Sequence, residues 1–223
     1  MTTTQHVLYD ATLGGTPDTQ GLLNFHYSPD AKATQEFVDG VTVLDTRHHQ
    51  VDAAGYMLRP SFYAELRDVA RYHLEFDVQV IDETHSDSDK DGDGRGDRAG
   101  FSVIVLNNGR RGIELGFWMD RIWAQEDGAK EPPYGTLFTQ AEGVDFDSAS
   151  GLTRYTLVVD DERYALTSAG QEVLSGRLRD YTTFEGPVNP YRTPSFIFLG
   201  DDTGSAQALI RLAYVALFVE HHT

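Results

Sequence analysis

The chain contains no cysteine. This absence excludes disulfide bonds, thiolate metal sites and cysteine nucleophiles, and it leaves the redox compartment undetermined. Long apolar runs are missing as well, and no stretch approaches the roughly 20 apolar residues that a membrane-spanning helix needs. The opening residues, "MTTTQHVLYD", carry neither a basic segment nor an apolar one. No signal peptide is therefore visible, which predicts a cytoplasmic protein unless a signal has been removed.

Positive charge is scarce. The chain has 18 lysines and arginines against 35 aspartates and glutamates, a formal charge of −17. An excess of this size repels nucleic-acid backbones and anionic membrane surfaces, so we expect neither as a partner. It suits a protein that holds divalent cations, because bound calcium would offset part of the repulsion. A halophilic or marine source would produce the same balance.

Two-residue alternation of apolar and polar residues is abundant, and it is typical of strands buried on one face. Three strands with two turns are predicted within residues 154–178, and residues 208–220 are apolar on both sides, as in a central strand covered on both faces. The five residues "NNGRR" predict a bulged or longer hairpin turn. The other predicted strands are residues 72–82, 101–106, 112–119 and 195–201.

These patterns predict an all-β protein, a jelly-roll sandwich of two antiparallel sheets. The apolar fraction of 40% is enough for a real core, and no linker or repeat interrupts the chain. We therefore expect one domain over residues 1–223, with an inserted loop at residues 85–98. Residues 61–71 are the one candidate helix, short enough to be a single turn between strands.

The inserted loop, "SDSDKDGDGRGD", places aspartates at alternate or near-alternate positions with glycines between them. Such carboxylates converge when the chain curls, and calcium prefers six to eight oxygen ligands from a flexible loop. The first half matches an EF-hand loop, but Arg98 stands where the bidentate glutamate belongs. The D-x-D-x-D-G-x-x-D pattern resembles the calcium loops of thrombospondin type 3 repeats and dockerins. The predicted calcium ligands are Asp87, Asp89, Asp91, Asp93 and Asp97.

The alternative for this segment is a solvated acidic loop without a metal ion. Unpaired carboxylates so close together repel each other by about 1 kcal/mol per close pair even in water, and a bound cation removes that cost. We expect the calcium ion to order the connection between two core strands rather than to contact a ligand directly.

The strand "RGIELGFWMDRIWAQ" indicates a second candidate site. Alternation sends Ile113, Leu115 and Phe117 toward the core, so Glu114, Gly116 and Trp118 would face outward. A carboxylate, a small residue and an indole on one exposed face are typical of a sugar-binding groove, because sugar rings stack on aromatic side chains. The alternative is that Trp118 packs under a loop while Trp123 belongs to the core. The residues predicted to bind a ligand are Tyr56, Arg59, Trp118, Arg121 and Trp123.

The segments "AGFSVIVLNNGRRGIELGFWMDRIWAQ", "LFTQAEG", "FIFLGDDTGSA" and "YDATLGGTPDTQGLLNF" resemble bacterial, largely cyanobacterial, choice-of-anchor proteins over about residues 8–217. Their domain is similar to the concanavalin A-like lectin/glucanase sandwich. The resemblance implies that fold, a lectin-like function and a secreted or cell-surface location. Many members carry a secretion signal and a sorting tail, and neither is visible here. The family supports a fold better than an activity.

A glucanase mechanism is not indicated. Glucanases of this fold place two carboxylates two or four residues apart on one strand. Glu114 stands alone on its strand face, and Asp120 lies six residues further, roughly 20 Å if extended. Other polar groups near strand ends are interpreted as turn residues or additional metal ligands rather than catalytic groups: Asp82, Glu83, His85, Asp201 and Asp202.

Three hypotheses follow. The first is a calcium-stabilised carbohydrate-binding or adhesion module. The second is a calcium-dependent enzyme on the same sandwich, such as a lyase, a hydrolase or a cyclase acting on a small apolar molecule. In the enzyme hypothesis the general acid is Glu114 or Asp120, the electrostatic partner is Arg59 or Arg121, and the pocket wall is formed by Tyr56, Trp118 and Trp123. The third is an interaction protein without a small ligand.

Overall fold

A computed structural model describes residues 2–27, 30–48, 52–67, 69, 71–128 and 135–221. The strands are β1 (Thr2–Asp10), β2 (Leu22–His26), β3 (Thr34–Val38), β4 (Val41–Asp45), β5 (Ala54–Leu58), β6 (Arg71–Thr84), β7 (Phe101–Leu106), β8 (Gly112–Phe117), β9 (Arg121–Asp127), β10 (Leu137–Asp145), β11 (Thr153–Asp160), β12 (Arg163–Ser168), β13 (Gln171–Arg177), β14 (Ile197–Gly200) and β15 (Gln207–His221). Short 3-10 helices lie between strands at Ala11–Leu13, Pro17–Thr19, Pro60–Phe62 and Pro190–Arg192. Within the described ranges, no helix has the length and apolar character to cross a lipid bilayer.

The strands form two antiparallel sheets packed face to face. Sheet I has the order β13-β12-β11-β6-β15-β4-β3, and β1 pairs with residues 214–221 of β15, beyond the part that pairs with β4. Sheet II has the order β10-β9-β8-β7-β14-β5-β2. Neighbouring strands are often far apart in sequence, as in the pairing of β15 with both β4 and β6. This is the two-sheet sandwich that the alternation predicts.

The main core lies between the two sheets. On β6 the four alternate residues Leu74, Phe76, Val78 and Val80 are fully buried, while the residues between them are partly exposed. Sheet II contributes the inward residues of β7 and β8 to the same cluster. Each large apolar side chain buried here stabilises the fold by about 1.5–3 kcal/mol, so the alternation fixes which face of each strand points inward.

Strand β15 explains why one stretch looked apolar on both sides. Its buried residues are even-numbered from Ala208 to Leu212 and mainly odd-numbered from Val215 to Val219. The pairing register with β6 shifts between Leu212 and Tyr214, and this bulge exchanges the two faces of the strand. The strand is central, but the expectation that it is covered on both faces is wrong, because Arg211 on its other face is exposed.

The other predicted elements are mostly confirmed. β11, β12 and β13 are the three strands predicted within residues 154–178. Residues 107–111 form the longer hairpin turn, in which the Arg111 carbonyl accepts a hydrogen bond from the Asn107 N–H at 2.8 Å. The candidate helix is only the 3-10 turn Pro60–Phe62 followed by further turns to residue 67, and β6 already begins at Arg71. Residues 68 and 70 lie outside the described part of the chain.

Candidate ligand cavity and metal loop

The outer face of sheet II is covered rather than open. Residues of β7 and β14 that point away from the main core pack against the segment after β13, including Tyr181, Tyr191 and Phe196. This is why all six residues of β7, "FSVIVL", are buried. Glu114 on β8 shares this face and is fully buried. The cover creates a second apolar layer, and a cavity lies at its edge.

The cavity has a volume of about 470 Å³. Aromatic rings form much of its wall, contributed by Tyr27, Phe138, Phe184 and Tyr191. Charged side chains also line it, namely Lys90 and Arg98 from the aspartate loop and Asp202 after β14. We refer to this space as the aromatic cavity. Its volume is in the usual range for small-molecule sites, and apolar walls with a few polar groups are typical of them.

Phe138 holds an unusual backbone conformation at the cavity wall. Its φ angle is +63°, a left-handed conformation that costs a bulky residue of order 1 kcal/mol or more. The register between β9 and β10 shifts between Leu137 and Gln140, so the strand does not continue regularly through this residue. The Phe138 ring stacks on Tyr181 at a centroid distance of 5.8 Å and packs against Tyr191 and Phe184. These ring contacts compensate for the backbone strain.

A buried cluster of charges lies beside the cavity, formed by Arg98, Glu114, Asp202 and Tyr191. The Arg98 Nη2 atom lies 2.6 Å from Asp202 Oδ2 and 3.1 Å from Glu114 Oε1. The Tyr191 hydroxyl hydrogen-bonds to Glu114 Oε2 and lies 3.5 Å from Asp202 Oδ2. Three members line the cavity, whereas Glu114 lies behind them. We call this group the ion cluster.

Glu114 is held in its neutral form within the ion cluster. Burial raises its pKa to about 8, and the negative charge of Asp202 acts in the same direction. Arg98 and the hydrogen bond from Tyr191 oppose that rise without cancelling it. A pKa of about 8 leaves the Glu114 carboxyl group protonated at neutral pH, and the Tyr191 phenol lies between this group and the cavity.

The aspartate loop brings three of its five predicted ligands together. Oxygen atoms of Asp89, Asp91 and Asp97 all lie within 4.8 Å of one another. Ligands of one calcium ion lie 2.3–2.6 Å from it, so any two of them are at most roughly 5.2 Å apart, and the three oxygen atoms satisfy this limit. Asp87 and Asp93 are not part of this group, and the Asp93 side chain accepts the N–H of Arg95 at 2.8 Å instead.

Local hydrogen bonds shape the aspartate loop. The Asp89 carboxylate accepts the N–H groups of Gly92, Asp93 and Gly94 at 2.8–3.0 Å. The two glycines have φ angles of +76° and +85°, which favour glycine because a side chain would be strained there. Asp97 is buried, and its carboxylate accepts the N–H of Lys90 at 2.9 Å. This bond ties the two ends of the loop together.

The aspartate loop is also a wall of the aromatic cavity. Its carbonyl groups at Gly96 and Asp97 accept hydrogen bonds from Gln140 and Gln125 of sheet II at 2.9 and 3.0 Å. Arg98 follows directly and belongs to the ion cluster, and Lys90 lines the cavity from within the loop. Anything that orders this loop therefore also positions two cations of the cavity.

The predicted aromatic groove at Trp118 and Trp123 is filled by protein. Trp123 is fully buried, and a Cβ added at Gly116 would lie 2.6 Å from its ring. Trp118 is 8% exposed and stacks on His85 at a centroid distance of 4.0 Å. The open space expected above Gly116 is therefore absent because the Trp123 ring occupies it. The alternative interpretation, in which both indoles pack internally, agrees with this geometry.

The other predicted ligand or catalytic residues do not line the aromatic cavity. Tyr56 is buried in the main core, and Arg59 donates a hydrogen bond to the Asp18 carbonyl at 2.8 Å. Arg121 bonds to Gln140 and pairs with Asp145, each at 2.9 Å. Asp120 is exposed between β8 and β9. Of the predicted groups, only Glu114 belongs to the ion cluster.

Sequence reasoning missed several members of the cavity. Asp202 was interpreted as a turn residue or extra metal ligand, yet its side chain is 2% exposed and pairs with Arg98. Arg98 was noted only as the residue that breaks the EF-hand pattern. Tyr191 lies in the segment "NPYRTP" between β13 and β14, where no strand pattern places it. The aromatic residues in that long proline-containing segment could have indicated this packing, because loops rich in large apolar residues usually pack against another part of the protein.

Comparison with known proteins identifies the fold. No protein-family model matches the chain, and no curated protein sequence is significantly similar to it. A carbohydrate esterase of the Shiga toxin-encoding bacteriophage phi24B superposes with a TM-score of 0.60 at 11% identity, covering 98% of this chain and 100% of the other. The exoplasmic/lumenal domain of VIP36 gives 0.52 at 8% identity over 98% and 93%. The β-glucanase of Bacillus licheniformis gives 0.50 at 11% identity over 97% and 98%. The chain is thus a jelly-roll sandwich of the concanavalin A-like type.

Proposed function

We propose that this chain binds a carbohydrate in the aromatic cavity, and that a calcium ion in the aspartate loop braces the cavity wall. The observation that carries the proposal is the cavity itself, about 470 Å³ with rings of Tyr27, Phe138, Phe184 and Tyr191 in its wall. Sugar rings have flat apolar faces that stack on aromatic side chains, and their hydroxyl groups need nearby hydrogen-bond partners. Ser88, Thr203 and Ser205 of the lining offer hydroxyl groups for that purpose.

Similar structures support this proposal at the level of fold. Two proteins with the same sandwich are named as a carbohydrate esterase and a β-glucanase. At identities of 11% they carry no residue-level argument, and a shared fold does not by itself transfer an activity. The proposal that the ligand is a carbohydrate therefore depends on the residues of the cavity wall, and the fold is consistent with it.

Substitution Phe184→Ala tests the carbohydrate proposal. Phe184 is only partly buried and lines the cavity, so its loss removes a stacking surface without emptying the main core. We expect about a 10-fold increase in the dissociation constant for a saccharide found by glycan array, since aromatic stacking contributes about 0.5–1.5 kcal/mol beyond area burial. Isothermal titration calorimetry provides the measurement.

The matched control is Phe37→Ala, which removes an exposed ring on β3 of sheet I. This variant should bind as the wild type does. Equal affinity of the Phe184→Ala variant and the wild-type protein would place the binding site elsewhere. The absence of binding to every glycan tested would contradict the carbohydrate proposal.

The calcium part of the proposal depends on the donors of the aspartate loop. Asp89, Asp91 and Asp97 supply three carboxylates at a suitable spacing, and calcium is the divalent cation that oxygen ligands in flexible loops favour. A bound calcium ion would neutralise their mutual repulsion and hold the loop against sheet II. Its role would be structural, because Arg98 and Lys90 rather than the three aspartates line the cavity.

Removal of calcium should lower the melting temperature. A ligand present at 100 times its dissociation constant stabilises a protein by about 2.7 kcal/mol, which corresponds to roughly 5–10 °C for a chain of this size. We expect EGTA to lower the melting temperature by that amount in differential scanning fluorimetry. Asp91→Asn should reduce the response, because it removes one of the three ligand charges. Asp91 is exposed and makes one hydrogen bond among the described residues, at 3.3 Å, so the substitution disturbs little else. Asp87→Asn, in the same loop but outside the group of three, should keep the full response. An unchanged melting temperature in EGTA, with no metal found by mass spectrometry, would contradict the proposal.

The ion cluster supports a second candidate, an enzyme that uses acid–base chemistry in the same cavity. A carboxyl group with a pKa of about 8 retains its proton at neutral pH, and a general acid needs such a group. Tyr191 connects that carboxyl to the cavity through its hydroxyl group. The premise of this candidate is a protonated Glu114, and the pH dependence of stability measures it directly.

A further inference from the structure

Two cations lie near one ring of the aromatic cavity. The Arg98 Cζ atom is 4.6 Å from the centroid of Phe138, and the Lys90 Nζ atom is 5.8 Å from it. Both side chains line the cavity. Contact with a ring face stabilises a cation only modestly, by about 0.5–2 kcal/mol, so neither charge is neutralised by Phe138.

Lys90 lies between two aspartates in the sequence, yet its ammonium group bonds to neither of them. Its Nζ atom donates to the Leu137 carbonyl at 2.8 Å, and among the described residues no carboxylate forms an ion pair with it. An ammonium group has three donors, so two remain for another acceptor. Lys90 therefore acts on Asp97 of the loop only through its charge at a distance, and not through a direct ion pair.

Arg98 also keeps an unused donor. Its Nη2 atom contacts Asp202 and Glu114, whereas its Nε atom is buried and has no hydrogen-bond partner in the part of the chain that the structure describes. The residue is 8% exposed. A buried donor without a partner costs about 1–3 kcal/mol, and an acceptor supplied by a ligand would recover that cost.

The charge balance of the cavity is opposite to that of the whole chain. Lys90, Arg98 and Asp202 are the charged residues in its lining, and Glu114 behind them is neutral at pH 7 because its pKa is about 8. Two cations thus face one carboxylate, in a chain whose net charge is −17. A neutral sugar would leave this excess of positive charge uncompensated.

We propose that the aromatic cavity accepts a saccharide that carries an acidic group, a carboxylate or a sulfate ester, which pairs with Lys90 and Arg98. The inference rests on the carbohydrate-binding function proposed above and names the class of its ligand. The acidic group would lie between the two cations, and the apolar face of the sugar ring would stack on the aromatic wall. Arg98 is itself fixed by Asp202 at 2.6 Å, so it offers a preformed partner.

The experiment compares acidic and neutral saccharides at the same calcium concentration. The probes are tetrasaccharides of galacturonate, glucuronate and mannuronate, each paired with its carboxyl-reduced counterpart, together with sulfated and unsulfated galactan fragments. We expect an acidic member to bind at least 10-fold more tightly than its neutral counterpart, because a hydrogen bond to a charged partner contributes more than one between neutral groups. The advantage should fall as sodium chloride is raised.

Lys90→Met removes the charge and keeps the apolar stem of the side chain. It should reduce the ratio of the affinity for the acidic saccharide to that for its neutral counterpart about 10-fold. Arg95→Gln is the matched control, since Arg95 is an exposed cation of the same loop that does not line the cavity, and it should keep the wild-type preference. Saccharide binding without a preference for acidic probes would overturn this inference alone. Binding to no saccharide would overturn the proposed function and the inference together.

Discussion

Arg98→Met is expected to lower the free energy of unfolding at pH 7 by about 3–5 kcal/mol, the usual cost of removing one partner from a buried ion pair. Arg98 is 8% exposed, and its Nη2 atom contacts both Asp202 and Glu114. Methionine fills much of the same volume but supplies no charge. The Asp202 carboxylate, whose side chain is 2% exposed, would then stay buried without its cation.

Urea unfolding of the wild-type and variant proteins measures this loss. Arg95→Met is the matched control in the same loop, since that side chain is 53% exposed and lies 4.0 Å from Asp93. An exposed pair of this kind contributes roughly 0–1 kcal/mol. Similar losses for the two variants would show that Arg98 does not hold the ion cluster together. Should Arg98→Met fail to fold, Asp202→Asn combined with it is expected to restore folding, because it removes the unpaired carboxylate.

The strands of this fold follow from local pattern, whereas the cavity does not. Leu74, Phe76 and Val78 alternate with polar residues, and a side chain on a strand can reach only one of two faces. The sequence thus predicts which residues of β6 form the core. It did not predict the bulge in β15, because an apolar strand with exchanged faces looks the same as one covered on both sides.

The candidate site was only partly predictable because its members come from distant segments. Glu114 was recognised from its place on β8, but its partners Arg98, Tyr191 and Asp202 follow three different strands or loops. The alternation places Glu114 away from the main core and does not show whether that face is open. The segment after β13 decides this by covering it with Tyr181 and its neighbours. Long-range packing of irregular segments has no periodic signal in the sequence.

The aspartate loop was less predictable than the strands and more predictable than the cavity. Five aspartates marked it as a candidate calcium site, and three of them have oxygen atoms within 4.8 Å of one another. Spacing alone did not show that Asp93 caps the N–H of Arg95 while Asp97 is buried. The loop also contains left-handed turns at Gly92 and Gly94, so its side chains do not follow a regular alternation.

Glu114 should make the wild-type protein less stable as the pH rises from about 5 to 8. Its pKa is raised from the ordinary 4.5 to about 8 in the folded state by burial and by Asp202. Between these values the folded chain binds a proton that the unfolded chain has lost. Stability therefore falls with increasing pH in this window, by up to about 1.4 kcal/mol per pH unit from this group. Below pH 4.5 and above pH 8 the group contributes no slope.

Glu114→Gln isolates this contribution. Glutamine has nearly the same shape and stays neutral, so the variant should match the wild type near pH 5 and exceed it by a few kcal/mol near pH 8.5. The measurement is the free energy of unfolding in urea at half-unit pH steps, taken as the difference between the two proteins. Burial also raises the pKa of Asp201, so Asp201 adds its own pH dependence to the stability of both proteins. Subtracting the unfolding free energy of one protein from that of the other removes this shared contribution.

The exposed Glu36 on β3 provides the control, and Glu36→Gln should leave the pH dependence of stability unchanged. The groups that face Glu114 are Arg98, Asp202 and Tyr191, with the Tyr181 hydroxyl accepting its backbone N–H at 3.2 Å. A difference between wild type and Glu114→Gln that does not vary from pH 5 to 8.5 would mean that Glu114 is ionised throughout. The cavity would then lose the protonated acid that the enzyme candidate requires.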